Sequence, residues 1–398
     1  MVQHKAIPAH TTIAVVGAGP VGSWLALHLA KTGYAVTLLE ANPLNPAQTD
    51  TRTLALSWGS LQALNSVGIS KKMLHATDIN KIDIAQHKAW GKTILSKHEV
   101  KLDYLGAVAE YQVLTQALHK LLQVPQANLR LVEKSCVKAV RTVGNLAYLL
   151  LKTSDKNICL TADLAILAEG GASIQIAPDI TKYLHDYQQV AVSAELSFSE
   201  QSSDTAYEYF STYGPFALLP YNHHYRLLWI RDHCDQILQD KTPQRLSKQL
   251  QEILNNRFGK IQAIKITQQF ALSLKETKDI AKGRIAFIGA AAQALHPIAG
   301  QGLNLGLRDA QHLLSSLKRY QLTLDFEATL KYYKKIRRLD RLNAIAFTHF
   351  LAKLSHNPKG AWLQGLGINC LELSSALRQR FIMQMVFGIH QPTFEQTR

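Results

Sequence analysis

Thr12-Ile-Ala-Val-Val16, Gly17-Ala-Gly19-Pro-Val-Gly22 and Val36-Thr-Leu-Leu39-Glu40 decide how this chain folds. The first segment is a short apolar run of strand character, and the glycines follow it at once. An amphipathic helical pattern runs from about Pro20 to Thr32, with Gly33 placed to stop it. Val36 to Leu39 is a second strand, closed by Glu40. Strand, glycine turn, helix, strand and acid form the order of a dinucleotide-binding unit. Gly17 permits the tight turn, Gly19 lets a pyrophosphate approach the backbone, and Gly22 lets the helix pack on the strand. The helix start turns free N–H groups and the positive end of its dipole toward a phosphate. Glu40 follows Gly17 by 23 residues (40 − 17) and is placed to accept hydrogen bonds from a ribose diol. The motif alone does not choose between FAD and NAD.

Far along the chain, Arg284-Ile-Ala-Phe-Ile-Gly289 reads as another buried strand. It leads through Ala290-Ala-Ala-Gln-Ala-Leu-His296-Pro297-Ile-Ala-Gly300-Gln301-Gly302-Leu303-Asn304 into a long helix that begins near Gly302. His296-Pro297 breaks the chain before it. The glycines let backbone lie flat against a planar group and aim N–H groups at it. The helix start offers a positive end to a developing anion, such as the N1–C2=O edge of a reduced flavin.

These segments together resemble the flavoprotein aromatic hydroxylases, the para-hydroxybenzoate hydroxylase group. The closer likeness is to the ubiquinone-biosynthesis hydroxylases. His296-Pro-Ile-Ala-Gly-Gln-Gly-Leu-Asn304 with Gly306-Leu-Arg308-Asp309 matches their signature, and the resemblance runs from about residue 12 to at least residue 345. It implies that the early glycine turn holds the ADP part of FAD, and that the loop from Pro297 to Asn304 holds ribitol and isoalloxazine through Gly300, Gln301, Gly302, Leu303 and Asn304. Thr51-Arg52-Thr-Leu-Ala-Leu56 resembles the stretch that sets an arginine, here Arg52, near the flavin. Glu110-Tyr-Gln112-Val-Leu-Thr-Gln116-Ala-Leu118 resembles the helix with a polar FAD contact, best placed at Gln116. Tyr213-Gly214-Pro215-Phe-Ala-Leu-Leu219-Pro220 resembles the substrate sheet, so Phe216, Leu218 and Leu219, with Pro297, are expected to line the ring site. His296 is a candidate base, although a His before Pro more often shapes backbone.

Two positions depart from the broad family. Glu169-Gly170 stands where most members have Asp-Gly, and Gly289-Ala290 stands where most have Gly-Asp gripping the ribitol. The 2-polyprenyl-6-methoxyphenol hydroxylase branch also lacks that Asp and has an Ala-Ala-Gln run before Leu-His-Pro, so the likeness tilts toward it. The implied activity is NAD(P)H- and O2-dependent hydroxylation of a lipophilic phenol through a flavin C4a-hydroperoxide, in the company of other ubiquinone-biosynthesis proteins. Alternatives are a sister ring hydroxylase, a hydroxylase of a soluble aromatic acid, and a non-catalytic FAD-binding scaffold. The Trp-x-Trp-x-x-Ile segment of halogenases is not found.

The expected class is α/β: a Rossmann-like FAD-binding domain, an inserted mixed β-sheet substrate domain and a C-terminal helical region. The FAD-binding domain is expected over 1–75 with 101–185 and 275–335, the substrate domain over 76–100 with 186–274, and the helices over 336–398. Only one complete GxGxxG is present, so NAD(P)H is expected to bind transiently in a cleft rather than in a domain of its own. Lys and Arg outnumber Asp and Glu by 44 to 29, a net charge of +15. Part of the excess sits in Lys331-Tyr-Tyr-Lys334-Lys335-Ile-Arg337-Arg338-Leu-Asp-Arg341, read as a solvated helix face with membrane or partner docking as the sharper alternative. The stretch from Ala361 to His390 is rich in Leu, Ile, Phe and Met; buried packing explains it, and a membrane-contacting face is again the sharper reading. No nucleic-acid module occurs, and the spacing of His223, His224, His233 and Cys234 suits no metal. Cys136, Cys159, Cys234 and Cys370 are far apart, as expected of free thiols in a reducing compartment. No secretory signal and no run of 18 apolar residues is evident. A cytoplasmic protein is therefore expected, peripheral to the inner membrane or part of a soluble biosynthetic complex.

Overall fold

The computed structural model describes residues 7–44, 50–87, 90–153, 156–170, 176–177, 179–200, 204–235, 243–255, 257–356 and 360–388. Its first elements are β1 (His10–Val16), α1 (Pro20–Lys31), β2 (Val36–Leu39), β3 (Thr53–Ser57), α2 (Trp58–Asn65), β4 (Thr77–Ile79), β5 (Lys81–Gln86) and β6 (Lys92–Ser96). Then come β7 (Gly106–Glu110), α3 (Tyr111–Gln123), β8 (Leu129–Val132), β9 (Cys136–Val143), β10 (Leu146–Lys152), β11 (Asn157–Leu167) and β12 (Lys182–Phe198). β13 (Thr205–Ser211), β14 (Gly214–Tyr221), β15 (His224–Asp232), α4 (Pro243–Leu254), β16 (Ile261–Thr277), β17 (Ala281–Lys282), β18 (Ile285–Phe287) and β19 (Gln293–Ala294) follow. Four helices close the chain: α5 (Gly302–Arg319), α6 (Phe326–His356), α7 (Gly360–Leu373) and α8 (Ser375–Phe387).

One 8-stranded sheet runs β17-β18-β11-β1-β2-β8, with the β9–β10 hairpin attached to β11. From β18 to β8 its pairs are parallel. Ile13, Ala14 and Val15 are wholly buried, as an apolar strand covered on both faces must be. β1 has β2 on one side and β11 on the other, so the glycine turn leaves the sheet where strand order reverses. Ligands bind at such switch points in open α/β sheets. A second 8-stranded sheet runs β19-β16-β12-β15-β14-β13-β5-β6, antiparallel except where β13 meets β5. A 3-stranded sheet, β3-β7-β4, is built from strands on either side of β5 and β6 in sequence. The chain thus has the expected α/β class, with a Rossmann-like parallel sheet, a mixed second sheet and C-terminal helices.

The basic run in α6 is not one solvated face, which corrects its sequence reading. Lys331, Lys334, Lys335 and Arg338 are exposed, but Arg337 and Arg341 are buried. The helical repeat sets Tyr333, Arg337 and Arg341 on the side that packs on α5 and the turn after β18. Buried cations need partners. Arg337 Nε donates to Asp309 Oδ1 at 2.8 Å, and its other end pairs with Asp340. Arg308 meets Asp340 Oδ1 at 3.0 Å, and Arg341 meets Glu276 Oε1 at 3.1 Å. Removing one member strands a buried charge. Arg337→Ala is therefore expected to destabilise the fold by about 3–5 kcal/mol, and Arg338→Ala, at an exposed site, by less than about 0.5 kcal/mol. Denaturant unfolding of the two variants checks the difference.

Candidate active site

The early turn is built by contact. Gly17 has φ +102°, and a Cβ there would lie 2.9 Å from the Glu169 backbone. At Gly22 it would lie 2.0 Å from the Gly17 carbonyl oxygen and 3.1 Å from Ala168 Cβ. Both glycines are therefore required by the protein itself. Gly19 differs: a Cβ there would meet only the Tyr111 hydroxyl, at 3.8 Å. The space over Gly19 is left open by the fold. α1 starts from Gly19 with no side-chain cap and no acid in its first turn. An open, uncapped, positively polarised helix start fits a pyrophosphate. Glu40 is held at the lip of this turn: its Oε2 accepts the Ala18 N–H at 2.7 Å and its Oε1 the Asn42 N–H at 3.0 Å.

α3 corrects one sequence expectation. Gln116 lies on the exposed face of the helix, whereas Tyr111, at its start, faces Gly19. The two are five residues apart, which is not a helical repeat, so they point in different directions. His119 was not singled out from sequence; it is buried and its ring bridges the carbonyls of Ala18 and Leu44, bracing the turn from behind. Arg52 pairs with Asp50 at 2.6 Å and stacks 4.6 Å from the Tyr111 ring centre. Glu169 contributes its backbone to the packing on Gly17, and Gly170 beside it is exposed.

The far loop reaches the same place. A Cβ on Gly306 would lie 2.9 Å from Val21 Cγ2 and 3.0 Å from Gly289 Cα, and one on Gly289 would lie 3.3 Å from the same Val21 methyl. α1, α5 and the turn at Gly289 therefore meet at Val21, and the two glycine loops border one seam. α5 also starts without a side-chain cap and without an acid in its first turn. Gly289 N–H is already bound, to Asp309 Oδ2 at 3.0 Å, and Ala290 adds no carboxylate.

Two loop residues, Asn304 and His296, are engaged within the protein. The Asn304 side chain is fully engaged within the protein. Its Oδ1 accepts from Ser57 N at 2.9 Å and Ser60 Oγ at 2.7 Å, and its Nδ2 donates to the carbonyls of Ala55 at 2.9 Å and Gly300 at 3.1 Å. It ties β3 and α2 to the loop instead of reaching a ligand. His296 is buried beneath the loop and is not among the residues lining the cavity. Its Nε2 lies 3.0 Å from Gln189 Oε1 and its Nδ1 accepts from Ile298 N at 3.4 Å. Burial, with His349 nearby, lowers its pKa to about 4. A neutral ring with both nitrogens occupied is a backbone brace, which removes His296 as a base. Gln301 is a further brace: its Oε1 accepts from Arg308 at 3.1 Å.

A cavity of about 570 Å³ opens beside the loop, bounded at one end by Arg52, Thr53, Pro297, Gly300, Gly302 and Leu303. On β14 its wall is Ala217 and Leu219. Phe216 and Leu218 are absent from it, which corrects their assignment. Alternate residues of a strand face opposite sides, and these two are buried on the other face against Tyr209, Trp229 and the helix α4. Leu228 and Phe270 are among the further residues of the sheet side, and Phe347, Phe381 and Met385 come from the C-terminal helices. None of these was singled out from sequence, because only the fold brings them together. Arg226 is a fixed cation on this largely apolar wall, held by Glu110 Oε1 at 2.8 Å and by Glu195.

The family described as FAD binding domain matches residues 10–344. The chain is 28% identical over 386 residues to 3-demethoxyubiquinol 3-hydroxylase of Escherichia coli (strain K12), covering 93% of this chain and 97% of that one. It is 28% identical over 330 residues to ubiquinone hydroxylase UbiM of Neisseria meningitidis, covering 76% of this chain and 68% of that one. Among solved structures, p-nitrophenol 4-monooxygenase PnpA from Pseudomonas putida DLL-E4 shares the fold with a TM-score of 0.76 at 15% identity, over 96% of this chain and 100% of that one.

Gly19→Val is expected to leave the protein folded and to abolish flavin binding, because its side chain enters only the open space; Gly22→Val is expected to prevent folding. Circular dichroism and flavin titration separate the two, and flavin uptake by the Gly19 variant would remove the pyrophosphate assignment. His296 predicts an acid sensitivity. Its folded pKa of about 4 lies below the ordinary 6.5, so the unfolded chain takes up the proton first. Its contribution to stability is full above about pH 6.5 and is lost as pH falls toward 4. His28, lowered to about 4 mainly by burial, acts in the same direction. His296→Gln is expected to reduce the proton uptake linked to unfolding in that window by about one, as read from denaturant midpoints against pH.

Proposed function

The chain belongs to the FAD binding domain family, and we propose that it is a monooxygenase hydroxylating the ring of a prenylated phenol in ubiquinone biosynthesis, with NAD(P)H and O2 as co-substrates. The observation that carries this reading is the meeting of two uncapped helix starts at Val21, beside an apolar cavity large enough for an aromatic ring. The activities for which the two relatives are named, hydroxylations in the ubiquinone series, support the substrate class. Bound FAD supplies the redox chemistry, taking reducing equivalents from NAD(P)H and activating O2 for insertion into an electron-rich ring.

The chain's own residues bind, orient and keep dry. The backbone from Gly17 to Gly22 and the start of α1 hold the pyrophosphate, and Glu40 receives the ribose hydroxyls. The start of α5 and the backbone from Gly300 to Leu303 face the ring end, with Arg52 and Pro297 at its border. Ala217, Leu219, Leu228 and Phe270 exclude water from the reacting ring, which keeps activated oxygen from being lost as H2O2. Arg226, immobilised by two carboxylates, holds the phenol oxygen of the substrate and so fixes which carbon is presented. Among the described residues no helix is long and apolar enough to cross a membrane. A prenylated phenol partitions into lipid, so on this reading the enzyme meets its substrate at a membrane surface, alongside other enzymes of the pathway.

The test begins with the visible spectrum of the purified chain and its NAD(P)H consumption over a panel of phenols. Prenylated phenols are expected to stimulate consumption and to be hydroxylated; full flavin loading without turnover on any phenol would leave a non-catalytic flavoprotein. Disruption of the gene in a quinone-making host is expected to accumulate an under-hydroxylated ring, and normal ubiquinone would overturn the substrate. The two faces of β14 give a sharper check. Leu219→Arg is expected to cut product per NAD(P)H by about tenfold or more with little loss of stability. Leu218→Ala, on the opposite face, is expected to cost about 2–5 kcal/mol of stability and to leave coupling unchanged.

A further inference from the structure

Part of the cavity wall is also outer surface. Phe350 of α6 and Leu363 of α7 line the cavity, yet they are 54% and 49% exposed. One mouth of the cavity therefore lies between these two helices, apart from the end at Arg52, Gly300 and Gly302, which are exposed as well. α7 crosses the edge of the mixed sheet at close range: a Cβ on Gly91 would lie 3.0 Å from Gly365 Cα, which sets Trp90 beside the helix. Trp362, Leu366 and Leu373 lie within about 40° of one line along α7, and they are 64%, 43% and 88% exposed. Trp90 is 84% exposed. Glu372 is the only charged residue of α7. Exposed apolar side chains grouped in this way mark an interaction site.

We propose that α7 and Trp90 dock on an anionic lipid bilayer, so that the mouth between α6 and α7 takes the substrate directly from the membrane. This rests on the reading above that the substrate is a phenol with a prenyl tail. A cavity of about 570 Å³ has the size of a site for a drug-sized ligand, so a long tail must remain outside the mouth. A bilayer receives that tail, whereas a protein partner seated on α7 would close the mouth. Two tryptophans on the patch suit the headgroup level. The net charge of +15, with exposed Lys92, Lys353 and Arg380 on the elements around the mouth, attracts anionic headgroups.

The experiment is co-sedimentation of the full-length, FAD-loaded protein with phosphatidylcholine vesicles with and without phosphatidylglycerol. The wild type is expected to bind, more tightly with the anionic lipid. W362D/L366D/L373D is expected to lose at least about tenfold in vesicle affinity while keeping its turnover of a short-chain phenol in solution. The milder W362S/L373S serves if the triple variant misfolds, with circular dichroism as the check. Wild-type protein that ignores both vesicles, or a variant that binds as the wild type does, overturns the proposal. So does a wild-type dimer in light scattering that the variant dissociates, since the patch would then join two copies. Absence of turnover in wild type and variant alike would refute the hydroxylase reading instead, and leaves the vesicle result to be judged by itself.

Discussion

Asp309 is a carboxylate with no access to water, and the site hangs on its contacts. It accepts the Gly289 N–H and the Gln293 amide, at 3.0 Å and 2.6 Å, and pairs with Arg337 from α6. One side chain thus binds the turn after β18, the helix α5 that carries it, and the long C-terminal helix that supplies part of the cavity wall. The low local dielectric makes the arrangement all-or-none: complete, it is rigid; with one member gone, it holds an uncompensated charge. The turn after β18 and the cavity-lining helix α6 are therefore not independent additions to the parallel sheet.

The same network fixes the turn at Ala290. The N–H of Gly289 points inward to Asp309, and Ala290 beside it offers no carboxylate. The shape of the loop is set from beneath by Asp309, His296 and Asn304, each a polar group engaged with protein. What remains pointing toward the ligand is mostly backbone and apolar side chain. Such a surface positions a planar cofactor by shape and by oriented N–H groups, and it keeps water out of the reacting volume.

The parts legible from sequence were those encoded locally. β1, the glycine turn, α1, β2 and Glu40 lie within about thirty residues, and each follows from periodicity or from the sterics of glycine. The loop from His296 to Asn304 was legible as a motif, but the directions of its side chains were not: His296 and Asn304 point into protein because Gln189, Ser57 and Ser60, far away in sequence, wait there to meet them. Phe216 and Leu218 were misplaced because the pleat fixes which residues share a face and says nothing about which face is the cavity. The family likeness points to Gln116, but the phase of α3 turns that residue outward and brings Tyr111 to Gly19. Arg337 and Arg341 were hidden in a run of like charge, where only the position of α5 distinguishes the buried side of α6 from the wet one.

The cavity asks for two opposed properties, and the fold separates them. Dryness at the ring end requires a closed wall, which the mixed sheet provides through Ala217, Leu219, Leu228 and Phe270. Entry of a greasy substrate requires an opening, and helices supply it, since two helices can part without breaking a hydrogen-bonded ladder as two strands cannot. The sheet is therefore placed where water must be kept out, and α6 and α7 where the substrate must come in. Asp309 and Arg337 join the two, so that α6 is anchored to α5 and, through the Gly289 N–H, to the turn after β18.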